Sequence, residues 1–166
     1  MFNLLKYRVI EIIRGTTVDG PGFRTSIYLS GCSHHCTGCH NPQSWEENAG
    51  EEITLQEILN IVEEEDFDVT LTGGDPLYHP EKLKKLIKEL KSNGRNVWVY
   101  TGYTWEEITE SPLLMSAISD ADVIVDGRFI EELKDTDLIF RGSSNQRIID
   151  IKESIKKGTI VLHHRS

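Results

Sequence analysis

Three cysteines, and no others, fall within one eight-residue window of this 166-residue chain, in the run Cys32-Ser33-His34-His35-Cys36-Thr37-Gly38-Cys39. Disulfides explain an odd, tightly clustered set badly, so the fold has to be held by packing and the loop by a bound group. The spacing C-x3-C-x2-C puts three thiolates on one short loop, a metal-ligating pattern. A four-iron cluster needs four ligands. With no fourth cysteine in the chain, a cluster held here leaves one iron open to a substrate, as a catalytic metal site requires. Spacing alone also admits a structural zinc site of three cysteines and one histidine, with His34, His35 or His40 as the fourth ligand.

The length suits one domain, residues 1–166, and apolar residues at 38% are spread over all of it. No segment approaches the roughly 18 uninterrupted apolar residues of a membrane helix. The start, Met1 to Lys6, lacks the charged and apolar regions of a signal peptide, so a cytoplasmic enzyme is expected, with no membrane partner. A formal charge of −9 and a pI near 5.1 argue against nucleic acid, whose binding relies on clustered Lys and Arg. The acidic surface can complement a basic partner patch, but a solvated face that keeps the protein soluble is the favoured reading.

Strand and helix signals alternate along the chain. Extended stretches are read at residues 7–13 and 25–29, the second delivering the chain into the cysteine loop. Thr54-Leu55-Gln56-Glu57 is a capping box, and Leu55, Ile58, Leu59 and Val62 follow at helical spacing. A strand at 68–71 leads into Gly73-Gly74-Asp75-Pro76. The next helix is opened by Pro80, closed by Gly94 and striped by Leu83, Leu86, Ile87 and Leu90. A strand at 96–101 precedes a second capping box, Thr104-Trp105-Glu106-Glu107, and Pro112 restarts the helix. Strands at 122–125 and 159–162 complete the pattern, with a charged, less regular segment at 128–157 between them.

This alternation implies right-handed crossovers and a mainly parallel α/β sheet, compatible with doubly wound and barrel folds alike. A closed eight-stranded barrel takes about 250 residues, so the expectation here is an open, partial (β/α) barrel of about five to six mainly parallel strands. Ligands then belong at the carboxyl ends of the strands. The cysteine loop, Gly73-Gly74, Thr101-Gly102 and Asp126-Gly127 all follow expected strands and should gather on one rim.

The cysteine spacing, together with Thr17-Val18-Asp19-Gly20-Pro21-Gly22-Phe23-Arg24, Gly31-Cys32 and Cys39-His40-Asn41-Pro42, resembles radical S-adenosylmethionine (SAM) enzymes that activate glycyl radical enzymes. Three further stretches narrow the likeness: Val99-Tyr100-Thr101-Gly102-Tyr103, Asp126-Gly127-Arg128-Phe129 and Phe140-Arg141-Gly142-Ser143-Ser144-Asn145-Gln146-Arg147. They resemble the branch that activates anaerobic ribonucleoside-triphosphate reductase, and the likeness covers nearly the whole chain. The resemblance implies a [4Fe-4S] cluster on Cys32, Cys36 and Cys39, with the open iron chelated by the amino and carboxylate groups of SAM.

By the same resemblance Gly73, Gly74 and Asp75 form the glycine-rich motif at the SAM amino group, where missing side chains admit the backbone. Thr101, Asp126 and Arg128 join the SAM site, Arg128 through a bidentate pair with the carboxylate, with a surface ion pair as the alternative reading of Arg128. Gly38 stands where many relatives have an aromatic residue, so adenine is left to backbone groups of Gly38 and His40. Asp75 stands where other branches often have Glu. One electron from a cluster at or below roughly −400 mV cleaves SAM, and the resulting radical takes hydrogen from a glycine of the reductase. A low-potential donor such as flavodoxin or ferredoxin is implied. An activase of the pyruvate formate-lyase type and a non-enzymatic zinc module are the alternatives. Trp45 and His79 read as packing residues, and His163 and His164 as a frayed tail.

Overall fold

The computed structural model describes residues 5–39, 42 and 45–163. Seven strands form one sheet: β1 Lys6–Thr16, β2 Arg24–Leu29, β3 Glu51–Thr54, β4 Asp68–Gly73, β5 Val97–Tyr100, β6 Val123–Asp126 and β7 Arg147–Asp150, in the order β3-β1-β2-β4-β5-β6-β7. The centre, β2, β4, β5 and β6, is parallel. Antiparallel β1 and β3 flank one side of it and β7 the other. The open α/β sheet with a parallel centre is the architecture expected, with seven strands in place of five or six.

The helices return the chain between parallel strands. Thr54 and Thr104 cap α1 (Leu55–Glu65) and α3 (Trp105–Thr109) through reciprocal bonds with Glu57 and Glu107, satisfying end N–H groups that burial would otherwise orphan. Pro80 opens α2 (Pro80–Ser92) and Pro112 opens α4 (Pro112–Ile118), while Gly94 turns the chain at φ 77°. Leu83, Leu86, Ile87 and Leu90 of α2 are fully buried, each contributing on the order of 1.5–3 kcal/mol of hydrophobic stabilisation.

Alternation along the strands separates two faces. Val97, Val99, Ile124 and Ile149 pack under the helices, whereas Trp98, Val123, Val125 and Ile148 form a second cluster with Tyr100 and Phe140 on the opposite face. Register sets the strand ends level: Leu29 lies opposite Gly73, and Tyr100 opposite Val125. The segments leaving β2, β4, β5 and β6 therefore meet at one rim, as the alternation implied.

At the start of β2, Arg24 is 1% exposed. Its guanidinium donates to Thr70 Oγ1, to the carbonyls of Pro21, Val69 and Asn96, and to Asn96 Oδ1. Desolvation lowers its pKa. The neighbouring Asp19 carboxylate accepts from Ser26 Oγ and Tyr28 Oη. Within the Thr17–Arg24 motif, Arg24 and Asp19 thus form a hydrogen-bonded knot that fixes the loop entering β2, while Val18 and Phe23 face solvent.

Three elements depart from the sequence reading. β3 has Ile53 as its single apolar residue, and backbone pairing with β1 forms it. The segment 128–157 contains β7 and α5 (Ile151–Lys157). Residues 159–162 form no strand: Leu162 makes an isolated bridge to Ile149, and Asp150 N–H donates to the Val161 carbonyl.

Candidate functional site

A cavity of about 510 Å³ opens at the rim, within the range of cofactor sites. Cys32, Cys36 and Cys39 line one side, Gly73, Gly74, Thr101 and Gly127 line it from the strand ends, Tyr28 and Tyr100 from the sheet, and Asp19 from the loop before β2. The expected cysteines, both motif glycines and Thr101 are therefore brought together on one space.

The cysteine loop is tied down at its start and turned on itself at its end. Cys32 N–H donates to the Trp45 carbonyl at 3.1 Å, and Cys39 N–H to the Cys36 carbonyl at 3.1 Å. Gly31, at φ 97°, passes so close to Tyr78 that an added Cβ would lie 2.6 Å from its ring. None of the three cysteines is in a disulfide. Burial raises the Cys32 and Cys36 thiol pKa values; backbone N–H groups of His34 and His35 oppose this at Cys32, and those of Phe129, with the Arg128 charge, at Cys36. A metal that takes these sulfurs as thiolates must displace their protons.

Asp75 is the joint beneath the loop. It is 2% exposed, and its Oδ2 lies 2.7 Å from His34 Nε2 while accepting from Thr101 Oγ1 at 2.9 Å and Gly102 N–H at 3.0 Å. Its Oδ1 accepts from Leu77 N–H at 2.9 Å. A carboxylate only accepts, so His34 presents Nε2–H to it. Both carboxylate oxygens are thereby committed to protein donors. Asp75 and Thr101 join the strand ends to the cysteine loop.

The residues after β6 are placed differently. Asp126, fully buried, accepts from Trp105 N–H, Arg147 N–H and the Arg147 guanidinium, with Arg147 Nη2 at 2.6 Å. Arg128 is pinned to Glu107 at 3.1 Å on the exposed surface. Gly38, at φ 78°, allows the loop to lie against the next segment, for an added Cβ would sit 3.0 Å from Glu131 Cδ and 3.2 Å from the Phe129 ring. That contact gives a packing reason for glycine before Cys39. His40 lies outside the described residues, as does His164.

The zinc alternative loses two of its fourth ligands. His34 is held by Asp75 and packs edge-on against Tyr103 at 4.7 Å, and His35 stacks on Trp45 at 4.5 Å. The donor set fits a [4Fe-4S] cluster instead: three thiols of one loop face a cavity large enough for a further ligand at an open iron. Sequence reasoning missed three features: the His34 clasp, the cavity position of Trp45, and the cavity-lining Arg141 and Gln146. The run 140–147 had marked the last two, without giving them a task.

A family model described as a 4Fe-4S single cluster domain matches residues 18–149. The anaerobic ribonucleoside-triphosphate reductase-activating protein of Escherichia coli K12 is 38% identical over 155 residues, 87% of this chain and 96% of that protein. The protein of the same name from Haemophilus influenzae is 36% identical over 157 residues, 88% of this chain and 96% of that protein. Its counterpart from Enterobacteria phage T4 is 34% identical over 139 residues, 79% and 86% of the respective chains. Among solved structures, QueE from Escherichia coli superimposes with a TM-score of 0.54 at 19% identity, covering 75% of this chain and 72% of that one. At that identity the likeness speaks for the fold alone.

Proposed function

The chain belongs to the family of anaerobic ribonucleoside-triphosphate reductase-activating proteins, and we propose that the cavity at its rim is where this activation is carried out. It is a radical SAM enzyme with a [4Fe-4S] cluster, and its protein substrate is the anaerobic reductase. The observation that carries the site reading is the convergence of three thiols from one loop and two glycines at the end of β4 on a single cavity. When bound, cluster and SAM together supply a radical that ends on a glycine of the reductase.

The protein's own residues then have separable tasks. Cys32, Cys36 and Cys39 hold three irons. Gly73 and Gly74 line the cavity, and their backbone would approach the amino group of SAM; by the resemblance the adenine would be left to backbone groups of Gly38 and of His40, the latter outside the described residues. Asp75, Thr101 and Asp126 position the rim, Asp75 through His34 and Asp126 through Arg147. Residues 1–166 act as one domain in the cytoplasm, with a low-potential flavodoxin or ferredoxin as donor. No helix among the described residues is long and apolar enough to cross a membrane. The test is anaerobic reconstitution followed by iron, sulfide and SAM-binding measurements. About four irons per chain and saturable SAM binding are expected. Zinc without labile sulfide is the outcome that returns the metal-module reading.

A further inference from the structure

Away from the rim cavity, the cysteine loop comes close to solvent by a second route. Tyr78 is 37% exposed, and its ring packs on Gly31, one residue before Cys32, so closely that an added Cβ would lie 2.6 Å from it. His79 meets that ring edge-on at 5.0 Å. A second cavity, of about 180 Å³, lies beside this point, lined among others by Ser30, Asp75, His79 and Lys82.

The helix that starts here is basic, although the chain carries a net charge of −9. The polar face of α2 presents Lys82, Lys84, Lys85 and Lys88 against Glu81 and Glu89. Residues three and four apart adjoin on a helix, so these lysines form one stripe. Among the described residues none of the four is in an ion pair: Lys82 Nζ donates to the Lys6 carbonyl and Lys84 Nζ to Ser116 Oγ. Carboxylates nearby are engaged elsewhere, Glu47 with His79 at 3.4 Å and Glu52 with Lys6 at 3.2 Å. The other end of the cysteine loop has the opposite sign. Gly38 lies against Glu131, and Glu132, Asp135 and Asp137 follow in an exposed segment whose one cation is Lys134. An anionic protein is therefore attracted to the start of the loop and repelled from its end.

We propose that Tyr78, His79 and the lysine stripe of α2 form the docking surface for an acidic protein that delivers the electron to the cluster. The proposal rests on the function given above, in which SAM and the reductase take the rim mouth and leave electrons to enter from another side. The donor is oxidised by one electron and the cluster reduced by one, with no group transferred. Charges of this kind set the rate of encounter more than the affinity.

The test uses full-length protein, anaerobically reconstituted with the cluster oxidised, and a reduced acidic flavodoxin as probe. Photoreduced deazaflavin serves as a small reductant that needs no docking surface. Stopped-flow absorbance follows cluster reduction, and calorimetry follows binding of oxidised flavodoxin. Lys85→Glu with Lys88→Glu should slow reduction by flavodoxin about tenfold or more at low salt, weaken its binding, and change reduction by deazaflavin less than about twofold. Lys85→Gln with Lys88→Gln should lose less, and it decides by the same ratio if the charge-reversed protein loads no cluster. Glu132→Lys with Asp137→Lys should not slow flavodoxin. An unchanged flavodoxin rate in the lysine variants, or equal slowing by the Glu132 and Asp137 variant, overturns the proposal and leaves the cluster site standing. Wild-type protein that loads no iron–sulfur cluster overturns both.

Discussion

His34 Nε2 sits 2.7 Å from Asp75 Oδ2, joining the cysteine loop after β2 to the turn after β4. The same oxygen accepts from Thr101 and Gly102, so three strand ends meet at one carboxylate. A buried acceptor of this kind over-determines the loop before any metal arrives. Asp75→Asn places an amide among several donors and should destabilise the protein by about 2–3 kcal/mol, read in denaturant unfolding. It should also slow cluster assembly. An Asp75→Asn protein with unchanged stability and loading rate would show that the joint is incidental.

The cysteine assignment predicts that Cys32→Ala, Cys36→Ala and Cys39→Ala each lose the four-iron cluster, because three corners of the cubane depend on them. Iron and acid-labile sulfide analysis after anaerobic reconstitution reads this directly. A Cys36→Ala protein that kept about four irons and cleaved SAM would remove Cys36 from the ligand set.

Two adjacent glycines should fail in different ways. At Gly73, with φ 116°, an added Cβ would overlap the Leu29 backbone of the paired strand, so Gly73→Ala should break the sheet at the rim and lower the unfolding midpoint sharply. Gly74 lines the cavity, and Gly74→Val should leave the cluster in place but weaken SAM binding. Equal SAM affinity in Gly74→Val and wild type would reduce the motif to a turn.

Charge placement gives a further contrast in stability. Removing the Arg147 guanidinium leaves the buried Asp126 carboxylate with two backbone N–H donors but no paired cation, so Arg147→Met should cost about 3–5 kcal/mol. Arg128→Met breaks an exposed pair and should cost at most about 1 kcal/mol. Chemical unfolding of both proteins checks the ordering, and a larger loss for Arg128→Met would reverse the account of the two arginines.

Much of this was legible in the residues, for physical reasons that differ by element. Thr54 with Glu57 and Thr104 with Glu107 are local signals whose bonding partners lie three residues apart, so sequence alone locates both helix starts. The parallel centre follows from β-branched and apolar runs that are buried on both faces. By contrast β3 is held by pairing with β1, some 45 residues away, and its glutamates carry no trace of that partner. β7 was hidden in the charged segment 128–157, although Ile148 and Ile149 alternate between the two faces. At the site, the thiol ligands were readable because they lie on one loop. The tasks of His34 and Asp75 were not, since each depends on what distant segments bring within bonding distance.

The proposed activity requires the radical to leave this protein for its partner, and electron paramagnetic resonance of the mixed proteins tests that most directly. Reduced, SAM-loaded protein incubated with the anaerobic reductase should give a glycyl radical signal on the reductase, with 5′-deoxyadenosine formed alongside it. The signal should vanish with Cys36→Ala, and with a reductase whose radical-bearing glycine is replaced by alanine. SAM cleavage by this chain with a small molecule, stoichiometric with product and with no radical ever appearing on the reductase, would contradict it.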